Sequence, residues 1–154
     1  MSAWKAIILG LCLFGAYQGY QSHQHKKITP VAFVQRSELS TFFSTIANKQ
    51  LKHSQSYHAF IAQYGPAGNA LIESEMRAAI ARYQSDWNQK MAVALTQYIT
   101  PAELQSIYNE REDSSYRHKL KGFAQEIAVA SYPDCKLLID KAINETLLNA
   151  RQKV

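Results

Sequence analysis

Ile72-Glu-Ser-Glu-Met76-Arg-Ala-Ala-Ile80-Ala-Arg-Tyr83-Gln-Ser-Asp-Trp87-Asn-Gln-Lys-Met91-Ala-Val-Ala-Leu95-Thr-Gln-Tyr98 is the stretch that decides the fold class. Its large apolar residues recur at steps of four and three. Those steps line up on one side of a helix and scatter over both faces of a strand. The spacing predicts a helix over residues 67–99, with Arg77, Arg82 and Lys90 as solvated flanking charges. Met76, Tyr83, Trp87 and Met91 have the size to line an apolar pocket, but a stripe this regular reads as core.

Upstream, Gly65-Pro66 is a breaker pair. Before it, Ser37 stands as an N-cap ahead of Glu38, and Leu39, Phe42, Phe43, Ile46, Tyr57, Phe60, Ile61 and Tyr64 share one side of an expected helix over 37–64. Gln50 and His53 fall inside that stripe, with Tyr57 one turn on. A buried polar group must be hydrogen-bonded or it costs stability. Gln50, His53 and Tyr57 are therefore the candidate polar site. They read as satisfied core groups, as a local helix irregularity, or as a ligand or proton-transfer site.

Downstream, Thr100-Pro101-Ala102-Glu103 carries a capping box with Pro at the first helical position. Leu104, Ile107 and Tyr108 form a short apolar face, the run 109–115 is polar, and Tyr116, Leu120, Phe123 and Ile127 resume the pattern. At 3.6 residues per turn the two faces differ by about 150°, which predicts a kink or break near residues 113–115; the alternative is one straight helix with two partners on different sides. A fourth helix is expected after Ser131-Tyr132-Pro133-Asp134, ending near Arg151. Ile139, Ala142, Ile143 and Ala150 share its inner face, while Leu137 and Leu148 point the other way. No alternating strand pattern and no internal repeat is present. The expected fold is all-α: a four-helix hairpin bundle over 37–154, the third helix kinked, behind an N-terminal apolar segment.

That segment, Ala6 to Tyr17, follows a short start containing Lys5. Its 12 residues match the length of a signal-peptide apolar region and fall short of the roughly 17–25 of a transmembrane helix. Leu13 or Phe14 would occupy the −3 position of a cleavage site that wants a small residue there. Three readings stand: a cleaved leader with an imperfect site, an uncleaved anchor flanked by Trp4, Tyr17 and Tyr20, or a helix buried in the domain. The organisation is then a signal peptide or membrane anchor at 1–22, a polar linker at 23–36 and the helical domain at 37–154.

The net charge of +5 is compatible with anionic partners without demanding them, and charges of both signs alternate along most of the chain. Arg117, Lys119 and Lys121 are the candidate anion contacts, diluted by their spread around a helix, and no nucleic acid is expected. The carboxylates Glu73 and Glu75, and Glu110, Glu112 and Asp113, read as solvated surface. Cys12 lies in the apolar segment, which leaves Cys135 a lone, buried thiol. His23-x-His25 does not make a closed metal site. No phosphate loop, nucleophile elbow or zinc motif occurs, so neither cofactor nor metal is expected.

Tyr98-Ile-Thr-Pro-Ala-Glu-Leu-Gln-Ser-Ile-Tyr108 resembles a family of small exported bacterial all-helical domains of unknown function. Those carry a Thr-x-x-Glu-Leu helix start followed by a Phe-Tyr-x-Ser-Pro-x-Gly break. Thr100, Glu103, Leu104 and Tyr108 match, whereas Asn109-Glu110-Arg111-Glu112 replaces the Ser-Pro-x-Gly element. The resemblance implies a helical envelope protein and carries over no catalytic residues. Together these readings point to an exported protein, periplasmic or anchored in the inner membrane. It is expected to act without catalysis, by binding an envelope protein or itself. The alternative is a small envelope enzyme or ligand binder using the His53 region.

Overall fold

The computed structural model describes residues 27–154. The apolar segment, Cys12 and the His23-x-His25 pair lie outside the described residues. Among the described residues the secondary structure is entirely helical: α1 (Pro30–Gln35), α2 (Phe42–Lys52), α3 (Gln55–Thr96), α4 (Pro101–Glu110), α5 (Arg117–Gly122) and α6 (Ala124–Gln152), with 3-10 turns at Glu38–Ser40 and Arg111–Asp113. None of these helices is long and apolar enough to cross a membrane.

The stripe from Ile72 to Leu95 builds the centre. Ile72, Met76, Trp87, Met91 and Leu95 are buried, and Ile80 and Tyr83 pack against the same core. Their main partner is α6. Lys153 lies against Glu75, Thr146 Oγ1 is 3.7 Å from Met76 Sδ, and Cys135 Sγ is 3.6 Å from Met91 Sδ. Numbers rise along one helix as they fall along the other, so α3 and α6 are antiparallel. α1, the turn 38–40 and α2 cover this pair, α1 against α3 and α4, α2 against α3 and α6. Trp87 joins the layers. Its indole Nε1 donates to Leu39 O at 2.9 Å, and its ring stacks on Phe43 with centroids 5.1 Å apart.

The segment expected as one helix over 37–64 is interrupted at His53–Ser54. Ser54 has extended backbone (ψ 143°) and its Oγ accepts from Tyr57 N at 3.2 Å, which caps α3. Gly65-Pro66 does interrupt regular helix: Gly65 takes φ 58° and ψ −144°, so α3 is two helices joined across a sharp bend that brings Tyr57 against Asn69. The bend brings the chain back on itself, and a Cβ on the buried Gly68 would stand 2.6 Å from Tyr64 Cβ.

Three further expectations are corrected. Residues 30–35 belong to the folded domain and not to a polar linker: Thr29 caps α1, and Phe33 and Val34 are buried. The third helix is divided by a break, one of the two outcomes the change of face predicts, and is not one kinked rod. The capping box of Thr100 and Glu103 forms as expected, but α4 ends at Glu110, Arg111 turns to positive φ (52°), and a separate α5 starts at Arg117. The fourth helix does not begin after Pro133, which lies inside the 29-residue α6. Proline lacks the donor for the carbonyl of Val129, and Val129 is 66% exposed, so water can take that place. The described residues thus form six helical spans where four helices were expected, α3 itself being two helices joined at Gly65.

Candidate interaction surface

The polar trio does not sit on an apolar face. Because α2 stops at Lys52, the stripe runs through Ile46, Ala47 and Leu51, all buried, and leaves His53 exposed at the C-cap. His53 Nδ1 lies 2.8 Å from Lys49 O, a local closure of the helix end. Gln50 is half-buried. Tyr57 belongs to the next helix and donates to Asn69 Oδ1 at 2.8 Å, while Asn69 donates to Glu73 at 3.1 Å. Nothing brings Gln50, His53 and Tyr57 together around one point.

The basic trio is spread as well. Lys119 Nζ holds both carboxylate oxygens of Glu103, at 2.8 and 2.9 Å, and Arg117 stands 3.6 Å from Glu112. Lys121 is exposed. Glu103 therefore serves twice, as the capping carboxylate of α4 and as the tie to α5. The Lys119 ammonium, with the Thr100 amide, holds its carboxyl below the usual range.

Glu75 is not a solvated charge. Its side chain is 9% exposed and bonded by Lys153, 57% exposed, at 2.5 Å. The hydrogen bond from Lys153 is the main reason its carboxyl titrates below the usual range, against a smaller opposing effect of burial. Glu73, Glu110, Glu112 and Asp113 are exposed, as expected. Cys135 is buried and free, and burial pushes its thiol up to about 12. It packs as an apolar group against Met91 and is almost wholly thiol at neutral pH. No group of three or more His, Cys, Asp or Glu among the described residues could hold a metal ion.

The exposed apolar side chains are more informative. Among the described residues the large ones are Val31, Val93, Tyr116, Val129, Tyr132, Leu137, Leu148 and Val154, so α6 alone contributes Val129, Tyr132, Leu137 and Leu148. Leu137 is 53% and Leu148 57% exposed. They are three helical turns apart, which at 3.6 residues per turn places them within about 20° of one line. Leu138, Ile139, Ala142, Leu147 and Ala150 face the core, and the pair stands on the side away from α3. Lys136 and Asp140 form an ion pair on this outer side. The exposed Lys141 and Asn144 lie between them on the same side, so the two leucines are separate apolar points on a mixed face. The outward direction of both was legible in the helical spacing. Val129 and Tyr132 were missed because Pro133 suggested that no helix ran there. Across comparisons with family models, curated proteins and solved structures, the chain matches no family, no curated protein and no solved structure.

Proposed function

We propose that this is a non-catalytic cell-envelope protein that works by protein–protein contact, either with itself or with another envelope component, through the outer face of α6. The observation that carries the reading is the alignment of Leu137 and Leu148, each more than half exposed, on a helix whose other face is core. Burying what remains exposed of the two leucines stabilises a contact by roughly 1.5–3 kcal/mol before the cost of association, enough to bias where a partner sits. The second part of the proposal, export to the periplasm or anchoring in the inner membrane, rests on the apolar run from Ala6 to Tyr17.

A photo-crosslinking residue placed at 137 or 148 in the native host should give a discrete adduct, and one placed at the exposed His118 should give none. Leu137→Ser/Leu148→Ser should abolish the adduct formed from a third reporter at Asn144 without lowering the thermal midpoint. A chain that stays monomeric in sedimentation and yields no adduct from either leucine position would refute the contact reading. The intact mass of the protein from separated cell fractions tests export independently.

A further inference from the structure

The charge of this protein is divided along its sequence in a way the overall value hides. Residues 65–154 hold eleven Lys and Arg and eleven Asp and Glu, whereas residues 1–64 hold six Lys and Arg against Glu38 alone. The whole net charge of +5 therefore belongs to the first 64 residues. The ion pairs divide in the same way. Arg82–Glu145, Lys90–Asp134, Arg117–Glu112, Lys119–Glu103, Lys136–Asp140 and Lys153–Glu75 all lie within α3 after its bend, α4, α5, α6 and their connecting turns and ends. Lys27, Lys49 and Lys52 are exposed and form no ion pair with a described residue. Arg36 is exposed too. Its guanidinium donates to the Tyr108 hydroxyl at 2.7 Å, a neutral partner that leaves the charge in place.

These residues share a structural setting. α1, the turn 38–40 and α2 turn Phe33, Val34, Leu39, Phe43, Ile46, Ala47 and Leu51 inward and keep their charges on the outside of the covering layer. His53 and His58, both exposed, border the same stretch. Upstream on the same chain lie Lys26 and the apolar residues 6–17.

We propose that the α1–α2 layer is the face this protein turns to an anionic lipid surface, through Lys27, Arg36, Lys49 and Lys52. An apolar stretch and a separate cluster of basic residues are the two signals that together hold a chain at a bilayer, each being weak alone. The attraction needs no lipid-specific pocket: it acts within a Debye length, about 8 Å at physiological salt, and accumulates with each lysine near the surface. The layer beneath contributes little, because its eleven Lys and Arg are balanced by eleven Asp and Glu. The inference uses none of the α6 residues, so it and the contact reading can fail separately.

The test is co-sedimentation of the full chain with vesicles of phosphatidylcholine alone, or with about a third phosphatidylglycerol. The anionic vesicles should bind it more tightly, and about 0.5 M salt should remove the difference. Lys27→Gln/Lys49→Gln/Lys52→Gln should weaken binding to the anionic vesicles by about a hundredfold, roughly fivefold per lysine, and leave binding to the neutral ones unchanged. The charge-matched Lys121→Gln/Lys141→Gln/Arg151→Gln should keep binding within a few-fold. Equal losses in the two triple variants, or no preference for anionic lipid, would overturn the proposal. A short DNA duplex bound by the full chain as tightly as the anionic vesicles would overturn it in favour of nucleic acid.

Discussion

Trp87 shows what one side chain does in this fold. It is fully buried, it covers Phe43 from α2, and its indole supplies the donor for the carbonyl of Leu39 in the neighbouring turn. Gln84 does the same for Ser40 at 3.0 Å. A short 3-10 turn leaves carbonyls without helical partners, and a buried carbonyl left unbonded costs about 1–3 kcal/mol. Trp87→Phe keeps a ring and removes the donor. It is expected to lower stability by about 2–3 kcal/mol, read from the urea midpoint. A loss below about 0.5 kcal/mol would mean that the turn finds another donor. The aromatic itself was legible as core from its place in the four-residue stripe. Its second duty was not, because the acceptor is a backbone atom 48 positions away.

The elements follow their local signals wherever those signals are stronger than what packing demands. Thr100 and Glu103 form the box their spacing announces, and Gly65-Pro66 bends the chain where it should. The Ser54 cap was legible in principle, since serine is a favoured N-cap. It contributes only about 1 kcal/mol and lies within an apolar pattern that continues on both sides, so the pattern masked it. That one break moved Gln50 and His53 from an imagined core to a helix end. Pro133 is the reverse case. A proline inside a helix costs about 3 kcal/mol, yet Ile127, Ala128 and Ser131 before it and Cys135, Leu138 and Ile139 after it are all buried on the same helix. Burial of that many side chains exceeds the cost, and no local rule reports it. Two glycines separate strain from crowding. Gly65→Ala is expected to cost about 1–3 kcal/mol because φ 58° with ψ −144° is not open to a side chain, although nothing lies within 4 Å of the new methyl. Gly68→Ala is expected to cost about 1–3 kcal/mol for the opposite reason, a methyl 2.6 Å from Tyr64 Cβ at an ordinary helical position. Denaturant midpoints measure both. Relief of the second variant, but not the first, by Tyr64→Gly, which removes the clashing Cβ, would confirm the distinction.

At the scale of the whole molecule, two carboxylates tie distant parts together, Glu75 to the end of α6 and Glu103 to α5. Both titrate below their ordinary value in the folded chain. The unfolded chain then binds protons more readily than the folded one in that window. Stability is fully present above about pH 4.5 and is lost as pH falls through the folded values. Glu75→Gln/Glu103→Gln should flatten the acid limb of a stability–pH curve below pH about 4.5 and leave its neutral part within about 1 kcal/mol, since Lys153 is largely in water. An unchanged acid limb would place the titrating groups elsewhere. The all-α class was readable from periodicity alone, because 3.6-residue spacing survives any arrangement of the helices. The order of layers was not, since which helix covers which depends on contacts such as Met76 with Thr146, 70 residues apart.

The pairing of α3 with α6 also sets when the protein can fold. Met76 and Met91 are covered in part by a helix that starts at Ala124, so a growing chain that has not yet reached it leaves those side chains partly bare. Synthesis proceeds at about 5–20 residues per second, and the native core must wait for its final stretch. Chains arrested at residue 123 should be cut rapidly by protease, and chains carried to 154 should resist. The core of α3 therefore stays open to solvent and to protease until α6 has been made.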